Sequence, residues 1–371
     1  MLAYHSFIWY NIYTLKHEKR LFTVYSFQLI RHTNIKYRDS LDRLGCNELS
    51  AMLFSMGIDS PVSVQTLGGA SFLMFDSRPL SENELLFLSG HSAVVFMAEY
   101  ENGLLRPIER PDPNYLPEDL PEILKYKGKT GTTFTKLMIN VALSCSAFAR
   151  EKISGLTVLD PVCGKATTPF CALQRGMNAC GIDIDAGDLK EATDYFSRYL
   201  KYHTLKHTEK HLSETVGKTS VPATVFTFAD CKEAWQAGDT RSFTLYQADT
   251  SLADKLTRKN KVHLLVGDLP YGIQHAPVAG KKVESFVSLL NRCLPSWYQA
   301  LLPGGAIALS FNTLTLPSDR VSEALERAGF TVCSDPAHGS YRHEVEQAVV
   351  RDVVFAVKPT VSNTPKEVPH S

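Results

Sequence analysis

The sequence predicts a mixed α/β fold, in which a doubly wound parallel sheet follows a smaller α+β domain. Three apolar runs carry this prediction, because each has the length of a buried strand: 156–159, 179–184 and 262–267. The first run ends at Asp160-Pro161, where proline removes a ladder donor, and the third ends at Asp268. A glycine-containing loop and a helix separate the first two runs. This is the arrangement of a nucleotide-binding half of a doubly wound sheet.

Length and composition divide the chain into two domains. Its 371 residues exceed one typical domain of about 100–150 residues, and an apolar content of 44% is ordinary for a globular protein. Five prolines between 107 and 121 indicate an extended linker. We therefore expect a small α+β domain at 1–110, a linker at 111–125, the main sheet at 126–358 and a disordered tail at 359–371.

Charge and cysteine usage exclude several classes of protein. Lys plus Arg and Asp plus Glu both number 39, so the chain is not a basic nucleic-acid coat, and any nucleic acid is held by a local patch. The eight cysteines form no CxxC pair and no zinc-ligand spacing, which favours a reduced, cytoplasmic protein without a metal. No apolar run approaches the ~20 residues of a membrane span. The aromatic-rich opening, 1–13, is either a first strand or an extension.

The N-terminal region shows alternating strand and helix patterns without evident chemistry. A strand is predicted at 24–30, and apolar spacing predicts a helix over 41–56 that ends at Gly57. Hairpin turns are predicted at Gly68-Gly69 and at 101–103. We interpret this domain as a binding or positioning module.

The loop after the first apolar run decides between possible ligands. A dinucleotide fingerprint requires three glycines, but Gly164 stands alone and Ala166 occupies the third-glycine position. A P-loop requires a glycine five residues before Gly164, where the chain has Leu159. Asp160 repels a phosphate, whereas it suits the ammonium and sulfonium of S-adenosylmethionine (SAM). The sequence therefore predicts SAM as the cofactor, with Thr167 and the next threonine capping the following helix.

Two further acids and one aromatic residue are candidates for the same cofactor. Asp183 ends the second strand and is placed to accept hydrogen bonds from both ribose hydroxyls. Asp249 follows a buried strand at 243–247 and is placed to accept one from the adenine amino group. Phe134, in the glycine- and threonine-rich loop 125–135, is a candidate for the methionine end. The alternatives are that the acids merely cap strand ends and that the loop is a solvated helix cap.

The helix after Asp185 is predicted to continue through 201–211, which contains three histidines and three lysines. A solvated helix face is the first interpretation, an RNA-phosphate patch the second and a metal site the third. Residues 213–243 are expected to be an insertion with a strand at 225–228.

The turn 268–272, Asp-Leu-Pro-Tyr-Gly, carries the candidate chemistry. An exocyclic base amine is a poor nucleophile, because its lone pair is conjugated into the ring. A hydrogen bond from this amine to Asp268 returns electron density to the nitrogen. Pro270 holds the turn in place, and Tyr271 offers a face on which a flipped base stacks, worth about 1–3 kcal/mol.

These motifs resemble a known family. Asp160-Pro-Val-Cys-Gly-Lys-Ala-Thr, Gly181-Ile-Asp-Ile-Asp and Asp268-Leu-Pro-Tyr-Gly are similar to those of class I SAM-dependent amino-methyltransferases. The closer resemblance, over 127–358, is to the tRNA guanine N2-methyltransferase branch, whose members often carry an RNA-binding THUMP domain. The resemblance implies a Rossmann-like seven-stranded sheet, methylation of a base in structured RNA, and two groups of site residues. Those that bind SAM are Asp160, Cys163, Gly164, Asp183 and Asp249, and those that form the amine-accepting turn are Asp268, Pro270 and Tyr271.

The sequence departs from the family pattern at two positions, and three hypotheses for its function stay open. Ala166 replaces a common glycine, and Leu269 replaces the first proline of the usual Asp/Asn-Pro-Pro-Tyr turn. The leading hypothesis is methylation of guanine N2 in tRNA. An adenine N6-methyltransferase on DNA or RNA is a second hypothesis, because the turn suits either amine. A SAM-fold protein that binds without turnover is the third.

Overall fold

Two sheets organise the chain in a computed structural model. The structure describes residues 22–33, 35–124, 129–269, 278–279, 282–283, 285–334, 340–346 and 349–360. Within these residues, no helix is both long and apolar enough to cross a membrane.

The first sheet is antiparallel and belongs to the N-terminal region. Its five described strands have the spatial order β2-β3-β1-β4-β5. Both predicted hairpin turns are present, with left-handed glycines at 68 and 69. The long helix begins at residue 35, six residues before the predicted start. The elements of this region are β1 (Thr23–Leu29), α1 (Ile35–Ser55), β2 (Ser63–Leu67), β3 (Ala70–Ser77), α2 (Glu82–Ser89), β4 (Val94–Glu101) and β5 (Leu104–Pro107).

The second sheet is the predicted doubly wound sheet. Its seven expected strands are β6 (Thr157–Asp160), β7 (Asn178–Asp183), β10 (Arg241–Gln247), β11 (Val262–Asp268), β14 (Leu301–Asn312), β15 (Thr331–Val332) and β17 (Val349–Val357). They lie in the order β15-β17-β14-β11-β6-β7-β10. The five from β14 to β10 are parallel, and β17 is antiparallel to its neighbours. Three more strands extend the sheet to ten among the described residues: β8 (His207–Val216), β9 (Thr219–Phe228) and β16 (His343–Glu346).

Helices cover both faces of this sheet. They are α3 (Leu120–Ile123), α4 (Thr132–Cys145), α5 (Thr167–Gln174), α6 (Ala186–Tyr202), α7 (Lys232–Ala237), α8 (Ala253–Leu256), α9 (Phe286–Ala300) and α10 (Ser318–Arg327). A two-residue pair, β12 (Val278–Ala279) and β13 (Lys282–Val283), precedes α9. The strand order reverses between β6 and β11, and ligands of open α/β sheets bind beside the carboxyl ends of the strands at such a switch point.

The prediction of a helix through 201–211 is wrong. Helix α6 ends at Tyr202, Thr204 takes a left-handed conformation, and β8 begins at His207. Strand β8 pairs with β9 along its whole length. Strand β9 buries Phe226 and Phe228 in the core. Strand β8 supplies hydrogen-bond partners for the outer backbone edge of β9. This tertiary pairing overrides the local helical pattern, and His207, Lys210 and His211 give β8 a charged edge that resists further pairing.

One apolar core extends from the N-terminal sheet into the large sheet. Helix α1 packs on α4, and the same cluster includes Phe27, Leu44, Leu137 and Ala306. Glu48 of α1 lies inside this contact and is 0% exposed. Its carboxylate accepts hydrogen bonds from the Ser92 backbone N–H, the Ser92 hydroxyl and the amide of Asn140 on α4. A buried acceptor therefore ties the two sheets' helices together.

We expect Glu48→Ala to lower the free energy of unfolding by about 2–4 kcal/mol, because it removes the buried carboxylate that accepts from Ser92 and Asn140. Chemical denaturation checks this value. Glu323→Ala, on the surface of α10, is the control and should change stability by less than about 0.5 kcal/mol. An equal loss in the two variants would contradict the tie.

Candidate active site

Asp160 is a buried acid at the carboxyl end of β6, and only 4% of its surface is exposed. The Val162 backbone N–H donates to its Oδ1 at 3.1 Å, and the Thr168 hydroxyl donates to the same carboxyl group. Burial raises the pKa of Asp160 to about 7, and the nearby Asp183 and Asp268 add to the rise. No basic side chain among the described residues forms an ion pair with Asp160. The site is thus suited to a cationic ligand.

Asp183 lies at the end of β7, two residues beyond Gly181, which pairs with Asp160 across the sheet. It accepts hydrogen bonds from the Gly164 N–H at 2.6 Å and the Asp185 N–H at 2.9 Å. Burial is the main cause that raises its pKa. Gly164 has a φ of +48°, a conformation that favours glycine. The loop after β6 is therefore fastened to the second acid through its backbone.

Cys163 packs behind this loop, with its thiol against Gly181. Its backbone N–H donates to the Ile182 carbonyl at 3.0 Å. A Cβ at Gly181 would lie 2.7 Å from Cys163 Sγ and 2.8 Å from Leu245 Cδ2. Burial, followed by the charges of nearby acids, raises the pKa of the Cys163 thiol well above its ordinary value. The thiol is therefore a neutral packing group, and its placement requires a glycine at 181.

The prediction that Thr167 and Thr168 cap the next helix is wrong. The N-cap position is Ala166, and it has a left-handed backbone with φ +65° and no side-chain cap bond. Such a conformation costs a non-glycine residue about 1–2 kcal/mol. Thr168 lies inside the helix and donates to Asp160 instead. The Thr168 hydroxyl that was predicted to cap the helix therefore donates a hydrogen bond to the buried acid.

Asp249 follows β10 and already has a cationic partner. Its Oδ1 accepts from the Ser251 N–H at 2.9 Å and from Arg292 of α9 at 2.6 Å. Burial alone raises the pKa of Asp249, but the Ser251 and Arg292 donors together hold it below its ordinary value. The predicted adenine contact would therefore share this carboxylate with Arg292.

Asp268 ends β11, the strand beside β6, and three side chains of the described residues donate to it. Ser310, directly opposite on β14, donates to Oδ1 at 2.7 Å. Thr130, from the loop before α4, donates to Oδ2, and Arg351 of β17 donates to the same oxygen at 3.2 Å. A Cβ at the preceding Gly267 would lie 3.6 Å from Asp160 Oδ1. The structure thus brings Asp160, Asp183 and Asp268 to one edge of the sheet.

Three predicted site residues remain: Pro270, Tyr271 and Phe134. Pro270 and Tyr271 fall outside the described residues. Phe134 lies in α4, is 2% exposed, and its ring contacts Tyr37, His343 and Arg351, behind Asp268. Its role at the methionine end of SAM stays a prediction.

The sequence interpretation missed the three donors to Asp268. Thr130 lies in the loop 125–135, for which the sequence predicts a contact with the cofactor and not with Asp268. Ser310 is hidden in an apolar strand. Arg351 carried a usable signal, because it and Asp352 are the two charged residues of the otherwise apolar β17.

Comparison with known proteins identifies the family. A family model described as rRNA methyltransferase AviRa matches residues 122–310, just over half of the chain. The chain belongs to the AviRa rRNA methyltransferase family. It is accordingly a SAM-dependent methyltransferase of an RNA-modifying family, and SAM is its cofactor. No curated protein matches the chain significantly.

Solved structures resemble this AviRa-family chain at low identity. TrmN from Thermus thermophilus is 17% identical with a TM-score of 0.36, and the match covers 83% of this chain but only 64% of TrmN. The rRNA methyltransferase AviRa from Streptomyces viridochromogenes is 15% identical with a TM-score of 0.37, over 63% of this chain and 88% of AviRa. Magnesium protoporphyrin IX methyltransferase from Synechocystis with bound SAM is 15% identical with a TM-score of 0.36, over 62% and 86%.

We expect Gly181→Ala to lower the free energy of unfolding by about 1–3 kcal/mol, because the new methyl group overlaps Cys163 and Leu245. Thermal or chemical denaturation measures the loss. Gly155→Ala is the matched control, since nothing lies within 4 Å of the added Cβ. Unchanged stability in Gly181→Ala would show that the loop is not packed as described.

Proposed function

We propose that the chain transfers a methyl group from SAM to an exocyclic amine of a base in RNA, and that the amine is N2 of guanine in tRNA. The observation that supports this most is the position of Asp268 beside Asp160. Asp160, at the end of β6, suits a cationic cofactor. Asp268, at the end of the neighbouring strand β11, can accept a hydrogen bond from an amine. Family membership supports the RNA substrate.

The acids fit the cofactor by their charge. When bound, SAM supplies a methyl group on a positively charged sulfur. Asp160 would hold the ammonium group, and the cation would offset the burial that raises the pKa of this acid. Asp183 would accept hydrogen bonds from the ribose hydroxyls and Asp249 one from the adenine amine. Cys163 and Gly164 shape the loop between them.

The hydrogen bonds of Asp268 assign its oxygens different roles. A carboxylate oxygen accepts about two hydrogen bonds. From the described residues, Oδ2 receives two, from Thr130 and Arg351, whereas Oδ1 receives one, from Ser310. The remaining position on Oδ1 would accept an N–H of the base amine and return electron density to its nitrogen. Pro270 and Tyr271 would complete this turn and stack the base.

Two RNA classes are candidate substrates. The sequence motifs favour tRNA, and the family description favours rRNA. Nucleoside mass spectrometry of separate tRNA and rRNA fractions from a deletion strain tests both. Loss of N2-methylguanosine from tRNA supports the proposal, and loss from rRNA moves it to the second substrate. Loss of N6-methyladenosine alone would replace guanine by adenine, and unchanged nucleosides would contradict it. The N-terminal region would position the RNA. The cytoplasmic location of the protein stays a prediction.

We expect Asp268→Ala to lower kcat by about 100-fold or more, because the amine loses its acceptor. Its Kd for SAM should stay within about threefold of wild type. Methyl transfer to RNA and calorimetric SAM binding measure the two quantities. Asp183→Ala is the converse control and should weaken SAM binding. Full turnover by Asp268→Ala would sink the assigned role.

SAM affinity should depend on pH through Asp160. This acid has a raised pKa of about 7 in the free protein and must be ionised to hold an ammonium group. The Kd for SAM should therefore fall as pH rises from 5.5 to 7.5, by up to about tenfold per unit at the acid end. Asp160→Asn should bind more weakly and lose most of this slope. A slope equal to wild type in the variant would assign the titration to another group.

A further inference from the structure

Arg351 is a buried cation next to the proposed catalytic acid. It lies on β17 and is 2% exposed, and its Nη2 is 3.2 Å from Asp268 Oδ2. In the described parts of the chain, it is the one basic side chain that forms an ion pair with any of Asp160, Asp183 and Asp268. A side chain so buried is not available to RNA phosphates. Its charge therefore acts inside the protein.

The surroundings of Arg351 hold it in place. Its guanidinium lies 5.7 Å from the centre of the Phe134 ring, and the His343 ring lies 4.6 Å from the same ring. Burial is the main cause that lowers the pKa of His343 to about 4, so this histidine is neutral at physiological pH and adds no second positive charge. Tyr37 of α1 packs on His343 at 5.4 Å. Aromatic rings thus pack around Arg351 behind Asp268.

The N-terminal region directly supports this cluster of rings around Arg351. Arg43 of α1 donates to the backbone carbonyls of Ser340 and Arg342, and Asn47 donates to Ser340 at 2.8 Å. These bonds fix the segment that leads into His343. Helix α1 therefore reaches the catalytic acid through only two layers of side chains.

We propose that Arg351 is a positioning residue for the methyl-transfer reaction. Together with Thr130 it occupies both acceptor positions of Oδ2, from two different elements, and so fixes the rotation of the Asp268 carboxyl group. This fixed rotation leaves Oδ1 facing the base amine. The guanidinium also offsets the negative charge that three neighbouring carboxylates concentrate at one edge. The inference rests on the proposed function of Asp268.

Three variants test this role: Arg351→Met, Arg351→Lys and Thr130→Val. We expect Arg351→Met to lower kcat by about 100-fold, with KM for RNA and Kd for SAM within about threefold of wild type. Arg351→Lys keeps the charge and should recover about tenfold, because a single ammonium still reaches Oδ2. Thr130→Val has nearly the same shape, should fold normally and should lower kcat by about tenfold.

Arg241→Met is the matched control. Arg241 is also buried and forms an ion pair with Asp239 at 2.6 Å. It lies at the amino end of β10, whereas the three acids lie at the carboxyl ends of their strands. It should lose stability and keep kcat. If Arg351→Met is unfolded, the other two variants decide. Turnover near wild type in folded Arg351→Met or Thr130→Val would overturn the inference. If Asp268→Ala keeps full turnover, the proposed function fails; if it is inactive while the Arg351 variants are active, only the positioning role fails.

Discussion

The packing of negative charge at one sheet edge constrains the whole site. Asp160 and Asp183 have pKa values raised mainly by burial, and Asp268 lies beside them with an arginine partner. A folded-state pKa above the unfolded value means that Asp160 destabilises the free protein as pH rises from about 4 toward 7. A cationic ligand reverses this cost. A cation therefore stabilises the ionised edge: the chain supplies one at Asp268 through Arg351, and the proposed SAM contact would supply one at Asp160.

The sequence predicts the large sheet well because its signals are local. Each of the runs at β6, β7 and β11 is apolar, of strand length, and ended by an acid or proline. The parallel order then brings Asp160, Asp183 and Asp268 to one edge, as expected for the carboxyl ends of neighbouring strands.

Where prediction failed, a distant partner decides the conformation. The sequence predicts a helix through 201–211, yet the pairing of 207–216 with β9 makes its last five residues part of a strand. Ala166 adopts a left-handed conformation that its side chain disfavours, so no local rule places a cap there. Arg351 is 83 residues from Asp268 in sequence, and no spacing rule connects the two. Those contacts arise from the tertiary fold.

The continuous core between the two sheets has a practical consequence. Helix α4 owes much of its cover to α1, so the N-terminal region supports the large sheet through a shared apolar core. Truncating it would strip apolar surface from α4 and withdraw the support of the Ser340–Arg342 backbone at the same time. The proposed role of this region in positioning RNA is therefore better tested with single substitutions on exposed strand β2, where Val64 and Gln65 face solvent.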